Sequence, residues 1–541
     1  MAKLEINYNK TDLKLLSGTK LLKYNINSDI DVDTIRHNFN HAIGNLSVKH
    51  SSLEYWLMML SERNTLVSDL FLDICRIELI IDLNNKYDNL VVKTNNIAIF
   101  LFFCDEAIIT FRSKFLFKCK KIRDQFRPYL TLLNFIISSL FIFTRYRDKR
   151  YVSNLSDSTI IQTWVNDSNF EDESFHDGYY GDLADYLQRH GKKVYVWPVF
   201  YSVKYKSKAI AFIRKHSSNF IYFEDYLKVS DYLNAIAHFY RKRFIRLGKI
   251  TISSNDFTSV FNSYKKKEYV SHSSLFYLFT KRLKELGCSN IAFIQNHENM
   301  TPEKALILGV KKYLPESRHI GYFHTTNPSN ILCLDYSSID EYEIAPKPDL
   351  IIFNSNVYLK YYKKKYPKLP MCNGFAFKQM HLKYPTHNRA AINNVLIIFS
   401  GVLNEIELMF SFLNTISGEY SYLFRMHPMC RFEVSKYYSK NNYEIVNDVP
   451  LQSSLAKVSK VISTYSSVAL ECAIKGLDVG LIYDQHKLLL NPFDSTSVSN
   501  YCLISNSNEL DYFLRIKSVP KEISKVFNLE DKFYDCFLQL A

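Results

Sequence analysis

From residue 159 onward, short apolar runs alternate with helix-like stretches, and this alternation limits the folds open to the chain more than any other feature. Residues 159–165 read as a strand, 166–177 as an acidic loop, 180–190 as a helix and 193–201 as a second strand, with further units through 291–294. Such a repeat builds a parallel sheet with helices on both faces. Between 366 and 394, Pro367, Pro370 and Pro385 with several Asn and Lys interrupt the periodicity, which marks a domain boundary. A second α/β unit then opens, with strands expected at 395–399, 422–426, 443–446, 460–463 and 478–482. The expected domains are 1–385 and 386–541.

At 541 residues the chain has room for two or more domains. Its 47% hydrophobic and 15% aromatic content excludes a disordered chain. Among its 14 glycines no GxGxxG or GxxxxGK[ST] occurs, so the dinucleotide fingerprint and the P-loop are both missing. Its 10 cysteines form no CxxC pair and are expected to be small buried hydrophobes in a reducing compartment. Residues 1–6 lack a charged region leading into an apolar run and a cleavage site, so a cytoplasmic location is expected. Further on, an apolar run at 70–83 suggests a helix and 97–103 a buried strand. Asp29, Asp31 and Asp33 form a DxDxD, but they precede the helix-like 34–43 and read as acids of a helix start. A metal-binding DxD should instead close a buried strand.

The formal charge of +14 favours acidic partners. Much of it is local. Arg112, Lys114, Lys118, Lys120, Lys121, Arg123, Arg127, Arg145, Arg147, Lys149 and Arg150 stand against only Asp124 and Asp148, a net +9 across 112–150. Between these flanks, 129–143 carries no charge. A spanning helix needs about 20 apolar residues, so the run is read either as an interfacial helix at an anionic membrane or as a buried helix with basic ends. No RNP, helix-turn-helix or zinc-finger pattern supports a nucleic-acid partner.

The clearest chemistry lies in the second unit. The strand at 422–426 leads through Arg425 into His427 and Pro428, and the strand at 460–463 leads into Thr464, Ser466 and Ser467 ahead of the helix-like 468–475. In open α/β sheets, ligands bind outside the carboxyl ends of strands. Ser466 and Ser467 at a helix start can hold a phosphate, or serve as a plain cap. His427 can donate to a phosphate oxygen as a leaving group departs, with Pro428 stiffening its turn, or it is a structural strand-end histidine. Ser400 and Gly401, at the end of the first strand, are candidates for the same cradle. Glu471, one turn past Ser467, could reach a ribose hydroxyl or simply face solvent.

His427-Pro428 followed by Thr464-Tyr465-Ser466-Ser467 resembles the two-Rossmann (GT-B) bacterial glycosyltransferases of surface polysaccharides: sialyltransferases, Kdo transferases and polyglycerolphosphate transferases. The segments 164–183 and 298–324 also resemble a family of surface-carbohydrate biosynthesis proteins, so that the similarity covers 53–500. This resemblance implies two Rossmann-like domains facing across a cleft, with a basic and apolar helical insertion in the N-terminal half. It further implies that the histidine and the serine pair bind the phosphate of a CMP- or CDP-activated donor. Sialyltransferases of this architecture carry an acidic residue in a short acidic-Gly motif; only His176-Asp177-Gly178 comes near it here.

Transfer needs a base for the acceptor hydroxyl. Glu298 is the first candidate because it follows the strand-like 291–294, though it could instead cap the helix starting at Pro302. Asp177 and Asp167 come next, and His324 is a candidate donor or acceptor contact. Neither a credible DxD nor a His/carboxylate cluster follows a strand, so no metal and no cofactor are expected. The expected activity is transfer of a sialic-acid-like or Kdo-like sugar from a CMP donor to a surface-glycan acceptor, at the inner face of the cytoplasmic membrane. The alternatives are a UDP- or GDP-hexose transferase, a glycerophosphotransferase and a non-catalytic assembly protein.

Overall fold

Asp31 caps the helix Val32–Lys49, its carboxylate accepting the Thr34 N–H at 3.0 Å. Asp33 follows in the first turn, where the helix dipole favours an anion. The acidic triplet is therefore a helix start. This is a computed structural model, which describes residues 13–17, 20–104, 108–111, 114–170, 174–270, 272–383, 394–417, 420–427, 430–516 and 525–540.

Strands β1 (Leu13–Ser17), β2 (Lys20–Leu21), β3 (Leu90–Thr94) and β4 (Ile109–Phe111) form a mixed sheet in the order β2-β1-β3-β4. The run expected as a strand at 97–103 is instead the helix Ile97–Phe102. Asn96 decides this, because its side chain accepts the Ala98 N–H at 2.8 Å and starts a helical turn.

The first large sheet contains β5 (Ser158–Asn166) and β6 (Val194–Ser202). After a small hairpin of β7 (Thr251–Ile252) and β8 (Asn255–Asp256), it continues with β9 (Ile291–Asn296), β10 (Arg318–Phe323), β11 (Leu350–Phe353) and β12 (Met371–Asn373). Its order is β12-β11-β10-β9-β5-β6, with β10–β9, β9–β5 and β5–β6 parallel. The chain reverses its direction of sheet growth between β5 and β9.

The second large sheet contains β13 (Asn394–Ile398), β14 (Ser421–Arg425), β15 (Tyr443–Ile445), β16 (Lys460–Ser463), β17 (Asp478–Ile482) and β18 (Tyr501–Ile504). It runs β15-β14-β13-β16-β17-β18 and is parallel throughout. Numbered within this unit, the order is 3-2-1-4-5-6, that of a dinucleotide-type Rossmann sheet. Val395 and Ile397 of β13 pack with Ile406, Met409 and Phe410 on one face, as the two-residue strand period requires. Gly480 in β17 leaves room for its neighbours, since a Cβ there would lie 2.7 Å from Ile504 Cδ1. The protein is thus an α/β fold with two Rossmann-like domains.

Two compact units emerge: Met1–Tyr322 with Ile331–Ile351 and Leu540–Ala541, and Phe323–Asn330 with Ile352–Gln539. Residues 352–383 thus group with the second unit, which begins earlier in the chain than the expected 386. Asn528 ties them there. Its N–H donates to Asn354 O, its carbonyl accepts from Ala376 N, and its amide nitrogen donates to Phe353 O and Gly374 O. Phe375 and Phe377 pack against Tyr534 alongside, the Phe377 ring edge-to-face.

Cysteine usage departs from expectation. Cys372 and Cys536 are paired as a disulfide, and Cys104 and Cys119 are exposed. The same docking of 526–537 brings Cys372 and Cys536 together. Cys75, Cys288, Cys333 and Cys472 are buried hydrophobes, as expected. The uncharged run 129–143 lies within a single helix, Lys114–Arg145, of 32 residues.

Candidate functional site

The sheet of the second unit reverses between β13 and β16, so the carboxyl ends of these strands form its topological switch point, where ligands of such sheets bind. β13 leads through Phe399 into Ser400 and Gly401, and β16 into Thr464, Tyr465 and Ser466. Next to β13, β14 ends at Arg425 and leads through Met426 to His427. The fold therefore brings Ser400, Gly401, His427, Thr464, Ser466 and Ser467 to neighbouring strand ends. Pro428 lies outside the described residues.

Ser466 is the N-cap of helix Ser467–Ile474, its hydroxyl oxygen accepting the Val468 N–H at 3.2 Å. The hydroxyl proton remains a donor. Ser467 occupies the first helical position and is half-buried. Thr464 is 2% exposed, and its Oγ1 has no hydrogen-bond partner among the described residues. A buried hydroxyl of this kind costs free energy until something bonds to it. The helix Leu403–Leu413 follows β13 with no side-chain cap, which leaves its first N–H groups open to an anion. Ser400 Oγ accepts the Val402 N–H at 3.2 Å in the turn before it.

His427 leans on Gly401: a Cβ on that glycine would lie 3.2 Å from His427 Nδ1. The residue as a whole remains exposed. Partial loss of water and then the positive charge of Lys378 hold its imidazole below the usual value. It is therefore neutral at pH 7, a donor through one nitrogen only. Gly401→Ala should move this ring by a few tenths of an ångström and weaken phosphate binding at these strand ends about tenfold, since small misplacements of a positioned group are costly. Because Gly401 is exposed, an unchanged melting temperature should accompany the loss. Unchanged phosphate binding in the variant, measured by calorimetry, would show that the contact does not position His427.

Two expected contributors are committed elsewhere. Arg425 Nη1 donates to Val446 O at 3.2 Å and to Val449 O at 2.7 Å, fixing the segment after β15. The expected outward reach of Glu471 gives way to burial. At 3% exposure its carboxylate meets His381 Nε2 at 3.0 Å and Gln379 Nε2 at 3.4 Å. Sequence reasoning missed Lys378, Gln379 and His381, which lie on the short helix Phe377–Lys383. Their only signal is a set of polar residues, interrupted by Met380, between Phe377 and Leu382 within a stretch that reads as a linker.

In the first unit the chain reverses between β5 and β9, and Asp177 and Glu298 follow these two strands. Glu298 follows β9 and is half-buried. It does not cap the next helix. Glu303 does so, its carboxylate accepting the N–H groups of Glu298 at 3.0 Å and Asn299 at 2.8 Å. Burial, and then the negative charges of Glu298 and Asp177, push the Tyr179 hydroxyl up to about 12. Glu298 and Asp177 thus share one neighbourhood. Asp177 Oδ1 accepts from Thr163 Oγ1 at 3.0 Å and from the N–H groups of Tyr179 at 2.8 Å and Tyr180 at 3.0 Å. Burial raises its pKa in spite of these bonds. It lines a cavity of about 270 Å³ with Phe175, Asp185 and His216. Asp167 accepts the N–H groups of Lys204 and Tyr205, at 3.0 and 3.1 Å, and organises a turn. His324, in the second unit, follows β10 and is 3% exposed. Among the described residues, no three His, Cys, Asp or Glu side chains are grouped so that they could hold a metal ion.

No family model matches the chain, and no curated protein matches it. Among solved structures it is similar to the glycotransferase of kitacinnamycin, 10% identical, covering 71% of this chain and 94% of that one with a TM-score of 0.36. It is also similar to MurG from Acinetobacter baumannii, 8% identical, covering 66% and 89% with a TM-score of 0.35. The wall teichoic acid polymerase TagF is 10% identical, covering 77% and 91% with a TM-score of 0.31. Likenesses this distant say nothing about individual residues, and the chemistry of the site has to be read from its own side chains.

Proposed function

We propose that this protein is a glycosyltransferase of bacterial surface-polysaccharide synthesis. It moves an acidic, sialic-acid-like or Kdo-like sugar from a CMP-activated donor to a glycan acceptor, as a cytoplasmic enzyme at the inner face of the membrane. The observation that carries this reading is the switch point of the second sheet, where His427, Thr464, Ser466 and Ser467 follow strands next to the one that leads into the uncapped helix Leu403–Leu413. Uncharged donors and helix ends of this kind suit a phosphate.

In the proposed reaction an acceptor oxygen attacks the anomeric carbon, the bond from that carbon to the phosphate oxygen breaks, and Glu298 takes the hydroxyl proton. His427 donates to the phosphate as its charge grows, with Lys378 adding positive charge nearby. Ser466, Ser467 and Thr464 orient the phosphate before the bond breaks.

Donor class is tested by the melting temperature of the purified protein with CMP, UDP and GDP. A shift with CMP alone supports the reading. A shift with UDP or GDP instead moves the assignment to a hexosyltransferase. A shift with CMP but glycerol phosphate transfer in place of sugar transfer assigns a glycerophosphotransferase, and no shift with any of them leaves a non-catalytic assembly protein.

The lowered pKa of His427 sets a pH dependence. The free imidazole is neutral above its pKa, which lies below the ordinary value of about 6.5. A bound phosphate favours the imidazolium and raises that pKa, so binding takes up a proton. CMP affinity should strengthen as pH falls from the bound-state pKa to the free-state pKa, level off below it, and be weakest at high pH. Calorimetry in buffers of different ionisation enthalpy measures the uptake, and His427→Ala should remove it. Proton uptake that persists in that variant would assign the titration to another group.

A further inference from the structure

The helix Lys114–Arg145 presents two unlike faces. Leu132, Phe135 and Ser139 are 3–7% exposed, and Leu132 and Phe135 belong to the same core as Tyr232 and Phe239. On the other side, Ile122, Phe126, Leu130, Leu133, Ile137 and Leu140 are each 53–61% exposed. At about 100° per residue these six fall within an arc of about 80°, opposite the buried face. They make one continuous apolar stripe along the outside of the helix.

We propose that this stripe docks the protein on an anionic lipid bilayer, with the helix lying in the plane of the interface. The charge pattern selects this occupant. The helix carries Lys114, Lys118, Lys120, Lys121, Arg123, Arg127 and Arg145 against a single acid, Asp124. Arg123, Arg127 and Arg145 fall along one border of the stripe, where they meet lipid headgroups as the apolar side chains enter the acyl boundary. Arg123 is paired with Asp124 at 3.1 Å, but it remains largely exposed and can turn to a phosphate. A second copy of the chain would bring the same basic border against itself, which is repulsive. By length and composition 117–145 could cross a bilayer. Crossing would pull Leu132 and Phe135 out of the core, so the interfacial orientation is the one that keeps the fold. The docking surface stands on these observations alone and does not depend on the transferase reading.

The test is flotation of the full chain with phosphatidylcholine vesicles, with and without phosphatidylglycerol. The wild type should float only with the anionic vesicles and be released by high salt. Leu130→Glu with Ile137→Glu should weaken partitioning about tenfold or more. Arg123→Glu with Arg127→Glu should weaken it about fivefold for each charge removed. All four side chains are exposed, so the melting temperature should not change. Independently, Leu133→Trp should give an emission that shifts to the blue on anionic vesicles. The proposal is overturned by a wild type that does not float, by unchanged partitioning in the Leu130/Ile137 variant, or by an unshifted Trp emission. Retention through a carbonate wash would assign a spanning helix instead. A native mass of two chains that falls to one in the Leu130/Ile137 variant would assign the stripe to a contact between copies.

Discussion

Replacing His427 with alanine should lower kcat/KM for sugar transfer by about 10²- to 10³-fold, the usual loss when one donor to a developing negative charge is removed. His427 stands just beyond β14, is exposed, and takes no part in the core of the second sheet. The fold should therefore survive, with an unchanged melting temperature. Charge on the phosphate grows as the bond to the sugar breaks, so most of the loss should fall on kcat and little on KM. His427→Gln keeps a neutral donor of similar reach and should recover part of the rate. Retained turnover in His427→Ala would remove the phosphate site proposed at this switch point.

Glu298→Gln should lower kcat by about 10²- to 10⁴-fold, the range lost with a general base, while CMP affinity stays near that of the wild type. The fold should tolerate the change, because glutamine keeps the length of the side chain and leaves in place the backbone N–H that Glu303 accepts. A near-normal rate would place the base elsewhere, with Asp177 as the next candidate. Asp177→Asn is a less clean experiment, since Asp177 Oδ1 also holds Thr163 and two backbone N–H groups. That variant should be read with its melting temperature beside its rate.

The parallel strands of the second sheet were legible because both of their faces are buried and each reads as a short apolar run closed by polar residues. The expected 460–463 and 478–482 coincide with β16 and β17, and β13 and β14 shift by one residue. β18 was not expected, for Tyr501–Ile504 is short, lies at the sheet edge and is only partly buried. The run at 97–103 differs from the expected strand because a short apolar stretch has no periodicity of its own, and the two N–H groups that Asn96 accepts start it as a helix. At the candidate site, residues at strand ends could be found from the strands themselves. Arg425 and Glu471 could be located but their partners could not, because Val449, Gln379 and His381 come from segments with no regular pattern. The long helix Lys114–Arg145 exceeds the uncharged run at 129–143 because charge marks an exposed helical turn without ending it.

Asn528 hydrogen-bonds to Phe353, Asn354, Gly374 and Ala376. All five lie in one continuous stretch, Ile352–Gln539, with Asn528 near its end, so during synthesis the ribosome must deliver nearly the whole stretch before they can be joined. The first unit can settle while the chain is still growing, since domains assemble from the N-terminal side. The half that holds His427 and the serine pair waits. A nascent chain arrested short of Asn528 would therefore carry most of the first unit and an incomplete second one, a built-in delay before the strand ends around His427 are assembled.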